Sequence, residues 1–298
     1  MATQTGTVRN WNLESVKPPL GVNPELPWRN HTVLAAGGGP GDDMVTDKCK
    51  VIVMRFGTDA NAMGHYHVHH ECDNLYYLLQ GTMTSIIGGV RFTTRAGEAI
   101  FMPRDVPHAT GNLGDEEVYL WEIYNPSTAL PDGTNDSHPV QLPDEIVDSE
   151  TGRENGVRIW DLEALNPEFD PNKEYPWRVN RILAGGGNPK AEDQVTDKTE
   201  VVIQRFAANA NQFGPYHLHR QSDNIWVVLE GTLSSIIGGT RYETRAGEVI
   251  FMPADVPHAT GNFGSEEMRA LEVYAPSTYI TGQHDSEPAD LPEKIATA

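Results

Sequence analysis

The chain is written twice. Trp11-Asn12-Leu13-Glu14 returns as Trp160-Asp161-Leu162-Glu163, and Pro27-Trp28-Arg29 returns as Pro176-Trp177-Arg178. A triple glycine follows in each copy, at Gly37 to Gly39 and Gly185 to Gly187, and then Val-Thr-Asp-Lys from Val45 and from Val195. Residues 94–117 and 244–267 differ at only four of 24 positions: Ala99/Val249, Arg104/Ala254, Leu113/Phe263 and Asp115/Ser265. Even the tails correspond, Pro126-Ser127-Thr128 with Pro276-Ser277-Thr278 and Leu142-Pro143 with Leu291-Pro292. A repeat that spans nearly all of 298 residues implies two copies of one domain of ordinary size. The expected domains are residues 1–149 and 150–298, with the polar stretch 147–159 as their joint.

Within each copy the apolar runs are short and end at turn residues. Val51-Ile52-Val53-Met54-Arg55-Phe56 and Val201-Val202-Ile203-Gln204-Arg205-Phe206 are rich in β-branched residues. Leu75 to Leu79 and Ile225 to Leu229 are too short for helices and stop one residue before Gly81 and Gly231. Ser85-Ile86-Ile87 runs into Gly88-Gly89, which predicts a tight hairpin turn. With 28 Gly and 21 Pro, the chain favours many short strands over long helices. The predicted class is all-β, two tandem barrels or sandwiches, with helix confined to short pieces such as Asp144 to Val147.

The charge excludes some partners. A net charge of −20 argues against binding nucleic acid or a membrane surface, both of which call for excess Lys and Arg. The first residues have neither the basic nor the apolar stretch of a signal sequence, so none is expected, and no apolar run reaches membrane-spanning length. Two cysteines, Cys49 and Cys72, cannot build a disulfide framework, so the expected setting is a cytoplasm with reduced thiols. The triple glycines open no Walker or Gly-x-Gly-x-x-Gly pattern and are expected in loops at a barrel mouth.

Six of the 11 histidines occupy matching places: His67, His69 and His108, then His217, His219 and His258. Residues two apart on a strand share a face, so each His-x-His points two imidazoles to one side. The third histidine arrives from a distant strand, entered through Pro103 and Pro107 or Pro253 and Pro257. Two ligands from one strand and one from another make a facial set with open positions, the arrangement of a catalytic metal centre. Two sites per chain are expected.

These residues resemble the two motifs of the cupin superfamily. Gly64-x-x-His67-x-His69 through Gly81 is similar to the first motif, and Gly97 through Pro103, His108 and Asn112 to the second. Both recur at Gly214 to Gly231 and Gly247 to Asn262. The resemblance implies two cupin jelly-roll barrels, each with a metal site. The superfamily pattern usually adds a glutamate ligand where this chain has Asn74 and Asn224. An amide is a poor ligand beside a carboxylate, so the site reads as three neutral imidazoles with the asparagines as their neighbours.

That departure is similar to the bicupin ring-cleaving dioxygenases acting on gentisate, hydroxynaphthoate or salicylate. The resemblance implies Fe(II), dioxygen and a small anionic aromatic or diketone-like substrate. This chain differs in keeping a full triad in both halves. Mn, Ni, Co, Cu and Zn remain open as the metal, since imidazole suits several ions. A metal-dependent lyase, isomerase or decarboxylase without oxygen chemistry is the alternative, and a non-catalytic ligand-binding bicupin the third reading. A homo-oligomer is compatible with all three.

Around the triads, Tyr76 and Trp226 share the parity of Asn74 and Asn224 and are expected to face the cavity. Arg91 and Arg241, and also Arg29 and Arg178, are candidates for gripping a substrate carboxylate. Tyr66 and Tyr216 should point outward, His65 should sit at the rim, and Cys72 should be a thiol without a role.

Overall fold

The computed structural model describes residues 7–36, 45–58, 60–130 and 133–298. Apart from the single 3₁₀ turn Glu154–Gly156, the regular elements of the described residues are strands. The chain divides into two compact units, Val16–Leu165 and Asn166–Ala298, the second completed by the N-terminal strand Arg9–Asn12.

In the first unit a six-stranded sheet runs in the order Arg158–Asp161, Glu98–Met102, Asp73–Gln80, Val118–Asn125, Lys50–Phe56 and Arg29–Ala35. A seven-stranded sheet runs His138–Pro139, His67–Val68, His108–Asn112, Thr82–Ile87, Val90–Arg95 and Val147–Asp148, with Ala62–Met63 also pairing to His108–Asn112. Side chains alternate across each strand, so one face of both sheets can close a shared interior. Met54, Tyr76, Leu78, Ile100, Met102 and Leu120 from the first sheet meet Met83, Ile87 and Phe92 from the second. The second unit repeats this plan strand for strand, and its interior holds Phe206, Trp226, Leu233, Ile237, Ile250 and Met252.

The expected hairpin forms. Ile87 pairs with Val90 across Gly88 and Gly89, whose φ values of +57° and +81° are the left-handed pair that a two-residue turn of this type demands. The second copy does the same at Gly238 and Gly239, with +55° and +81°.

Three expectations change. Asp144 to Val147 is not helical: Val147–Asp148 pairs in parallel with Val90–Arg91, because the hairpin edge offers Gly89 O and Arg91 O to the N–H groups of Val147 and Ser149. The stretch 147–159 is therefore woven into the first unit, not a joint. The units also differ from residues 1–149 and 150–298. Arg158–Asp161 pairs with Glu98–Met102 in the first, and its repeat counterpart Arg9–Asn12 with Glu248–Met252 in the second. Each copy of Trp-Asn/Asp-Leu thus covers a sheet edge of the other copy, which sequence similarity cannot reveal. Gly37 to Gly39 lies outside the described residues; Gly186 lets the backbone pass Asp197, where a Cβ would meet the main chain at 2.5 Å. No helix of the described residues is long and apolar enough to cross a membrane.

Candidate metal centres

Each triad is assembled from two short pieces of one sheet. His108 pairs across the sheet with His67, and His258 with His217. His69 and His219 follow two residues on, on the same face. The ring centroids of His67, His69 and His108 lie 4.6 to 5.2 Å apart, and those of the second set 4.7 to 5.5 Å. In each set the nitrogen atoms that could bind an ion all lie within 4.8 Å of one another.

The protons on these rings are placed by the backbone. His67 Nδ1 lies 2.8 Å from His65 O, His108 Nδ1 3.1 Å from Val106 O, and His69 Nδ1 beside Asp136 O. In the second set the partners are Pro215 O at 2.9 Å, Asp285 O at 3.2 Å and Val256 O at 3.0 Å. A carbonyl only accepts, so each Nδ1 carries the proton and donates it, which leaves the lone pair on Nε2. His108, His219 and His258 hold Nε2 buried with no protein partner. His67 Nε2 faces His69 Nε2 at 3.1 Å. Two lone pairs pointed at each other repel; a shared cation turns the contact into attraction. Two imidazoles at the usual metal distance and a right angle would stand about 3 Å apart. The donor set therefore fits a divalent ion in both units.

Burial keeps the rings neutral. It is the largest cause that lowers every one of the six: His67 falls to about 4, and His219 and His258 each to about 3. His69, His108 and His217 shift the same way. Neutral imidazole is the metal-binding form.

Behind the rings lies a carboxylate that the motifs did not reveal. Glu122, on the strand Val118–Asn125, is wholly buried, and burial pushes its carboxyl up to about 7. Asn74 Nδ2 donates to its Oε1 at 3.2 Å, and the hydroxyls of Tyr76 and Tyr124 also reach it. The second unit repeats the group: Asn224 Nδ2 donates to Glu272 Oε1 at 2.9 Å, with Gln204 and Tyr274 as the other partners. The signal was present in Leu120-Trp121-Glu122-Ile123-Tyr124, a charge at an inward position of an apolar strand that recurs at Glu272. Asp136 and Asp285 were missed too. Their carboxylates cap the turn after the second histidine, accepting N–H from His70, Glu71 and Cys72 or from Arg220, Gln221 and Ser222. Asp-Ser-x-Pro, at Asp136 and again at Asp285, was their signature.

Each triad opens into a cavity, of about 340 Å³ in the first unit and about 350 Å³ in the second. Arg29 and Arg178 stand in these walls, as do Tyr124 and Tyr274. His65 lines the first cavity from an exposed position. Two expectations fail here. Tyr76 and Trp226 lie in the barrel core and not in the cavity walls, packed in one cluster with Ile100 and Ile250, respectively, of the adjacent strand. Arg91 and Arg241 are on the outer face, opposite in parity to buried Phe92, where Arg91 pairs with Asp148 at 2.9 Å and Arg241 with Glu243 at 2.8 Å. Tyr66 turns away from the cavity to the hairpin at Gly88 and Gly89. Burial raises the Cys72 thiol far above its ordinary range, with Asp136 adding to the effect, so it is no nucleophile at neutral pH.

The histidine shifts set a pH dependence of stability. Groups whose folded pKa is lowered bind more protons when unfolded, so stability falls as pH drops from 6.5 towards about 4. A ring lowered to about 4, as His67 is, costs about 2 kcal/mol at pH 5, and the others act in the same direction. Glu122, raised to about 7, works in the opposite direction over a similar window, but one carboxyl opposes three rings. The metal-free protein is expected to melt about 10 °C lower at pH 5 than at pH 7. Calorimetry at the two pH values checks this; an unchanged midpoint would mean the rings protonate where they stand.

Two all-β units, each with an inward three-histidine cluster beside a cavity, define a double-barrel protein built to hold metal. The chain carries two cupin domains in tandem, the bicupin plan: the cupin domain model matches residues 54–124 and again 202–274. Over 95 residues it is 28% identical to Polyketide synthase CurC of Streptomyces cyaneus, covering 30% of this chain and 60% of that relative. A variant of salicylate 1,2-dioxygenase from Pseudoaminobacter salicylatoxidans is similar in structure, with a TM-score of 0.70 and 12% identity over 91% of this chain and 84% of that one. Oxalate decarboxylase from Bacillus subtilis matches with a TM-score of 0.52 and 15% identity, over 81% of this chain and 70% of that one. At such identities the likeness is one of fold.

Proposed function

We propose that this bicupin is a metal-dependent dioxygenase, with Fe(II) as its ion, that cleaves a C–C bond in a small aromatic or diketone-like anion. The observation that carries the reading is the set of six imidazoles with Nδ1 tied to carbonyls and Nε2 left free to converge. His67, His69 and His108 would hold one ion, and His217, His219 and His258 the other. The salicylate dioxygenase fold, solved also with gentisate bound, supports the substrate class. Two buried free thiols suit a cytoplasmic setting.

A redox-active ion bound by three neutral ligands would supply positions for a chelating substrate and for dioxygen. The protein's own groups do the rest. Arg29, which carries no ion pair among the described residues, offers a guanidinium to the substrate carboxylate from the cavity wall, and Arg178 does so in the second unit. The carbonyls of His65, Val106 and Asp136 hold the rings in one orientation. Glu122, poised near neutrality and linked to Tyr124 at the wall, can hold a proton at its carboxyl during turnover.

Substrate-dependent dioxygen uptake is expected from iron-loaded protein and its loss on replacement with zinc. An oxygen electrode with a panel of aromatic acids and β-diketones checks it. Full turnover under strict anaerobiosis would replace this reading with a lyase, isomerase or decarboxylase, of which oxalate decarboxylase is a structural example.

A further inference from the structure

The two cavities are copies in fold but differ in charge. Lys50, Ile52 and Met54 are alternate residues of one strand and line the first cavity together. The same three places of the second cavity hold Glu200, Val202 and Gln204. Among the described residues, the first cavity has two cationic side chains in its wall, Arg29 and Lys50, and no carboxylate. Neither cation carries an ion pair among the described residues. The buried Glu122 lies behind this wall and feels both charges, but it does not line the cavity, so an anion that enters meets Arg29 and Lys50 directly.

The second cavity supplies its own anions. Glu272 and Glu200 both stand in its wall alongside Arg178 and Lys190. Glu200 is buried and already satisfied: Asn188 Nδ2 donates to it at 2.8 Å and Thr278 Oγ1 at 2.6 Å. Its place in the wall of the second cavity is fixed, at the strand position that Lys50 holds in the first. The neighbouring residue differs in kind as well, since Gln204 is polar and donates to Glu272, while Met54 offers an apolar surface.

We propose that the first cavity selects a substrate with a second anionic group, held by Lys50 beyond the end that faces the metal, and that the second cavity rejects that group through Glu200. Lys50 and Glu200 are then the specificity-determining residues, and the two sites take different members of one substrate class. This rests on the reading that both triads bind metal.

The test uses full-length chains with one triad disabled, His217→Ala to isolate the first site and His67→Ala to isolate the second, each loaded with Co(II). The probes are salicylate, which chelates through carboxylate and phenolate, and 5-carboxysalicylate, which adds one carboxylate opposite the phenol. Binding is read from the visible Co(II) spectrum. The isolated first site is expected to favour 5-carboxysalicylate by about tenfold, as one charge-assisted contact provides. Lys50→Met, which keeps the stem and removes the charge, should bring the ratio to near one. The isolated second site should favour salicylate, and Glu200→Lys should remove that preference. Failure of either single-triad protein to take up Co(II) overturns the metal reading and this proposal with it. Co(II) uptake with a ratio unmoved by Lys50→Met overturns the proposal alone.

Discussion

Replacing His67 with alanine is expected to cut the metal content of the chain from two divalent ions to one, with affinity at the broken site down by more than about 100-fold. Loss of a group that only supports a ligand already costs 10- to about 100-fold, and His67 is placed to be a ligand itself. Stability should behave differently. His67 Nε2 faces His69 Nε2 at 3.1 Å, so the metal-free fold contains a repulsive contact that alanine removes. His67 is also only half-buried, so the space it leaves is open to water and costs little. At pH 6 the metal-free variant should be as stable as the parent or more so. A core histidine kept for packing predicts the reverse: unchanged metal binding and a loss of about 2 kcal/mol or more. Metal analysis by mass spectrometry and denaturant unfolding of the metal-free protein decide between them.

Much of this was legible in the residues. The repeat, the His-x-His pairs and the glycine turns act locally, through alternation and backbone freedom, and sequence displays such patterns directly. What was hidden depends on which strand lies beside which. Nothing in Trp160-Asp161-Leu162 says that it pairs with Glu98–Met102 of the preceding copy, because the same residues in the other repeat pair just as well across the exchange. Glu122 was overlooked because it is far from the histidines in sequence and reaches them only through cross-strand register, with Tyr124 opposite Asn74. Arg91 was a candidate by its guanidinium alone, which says nothing of the face it takes; an alternating strand has two faces, and only burial tells which is inward. Tyr76 and Trp226 do point inward, but at a depth where the barrel is already filled.

The asparagines carry the second large effect. Asn74 stands where a glutamate ligand is usual in the resembling family, and the buried carboxyl of this site stands on the next strand as Glu122, 3.2 Å from the Asn74 amide. Asn74→Glu would set two carboxyl groups against each other in a fully buried place. They cannot both ionise, so a proton is shared between them, the donor to Glu122 is lost, and an added methylene must be packed. A loss of about 3–5 kcal/mol in the metal-free protein is expected, the usual cost of an uncompensated buried charge. Asn74→Glu combined with Glu122→Gln exchanges the amide and the carboxyl, so donor and acceptor are again matched. More than half of the lost stability should return. Turnover per bound metal should not return with it, because the carboxyl would then sit on the strand that follows the histidines and no longer at the place of Glu122 on the neighbouring strand. Denaturant unfolding of the four proteins in the cycle gives the coupling, and oxygen uptake per bound iron gives the functional half. If the single variant is as stable as the parent, Asn74 and Glu122 are not a coupled pair. If the double variant regains turnover together with stability, the position of the carboxyl behind the triad has no part in the chemistry.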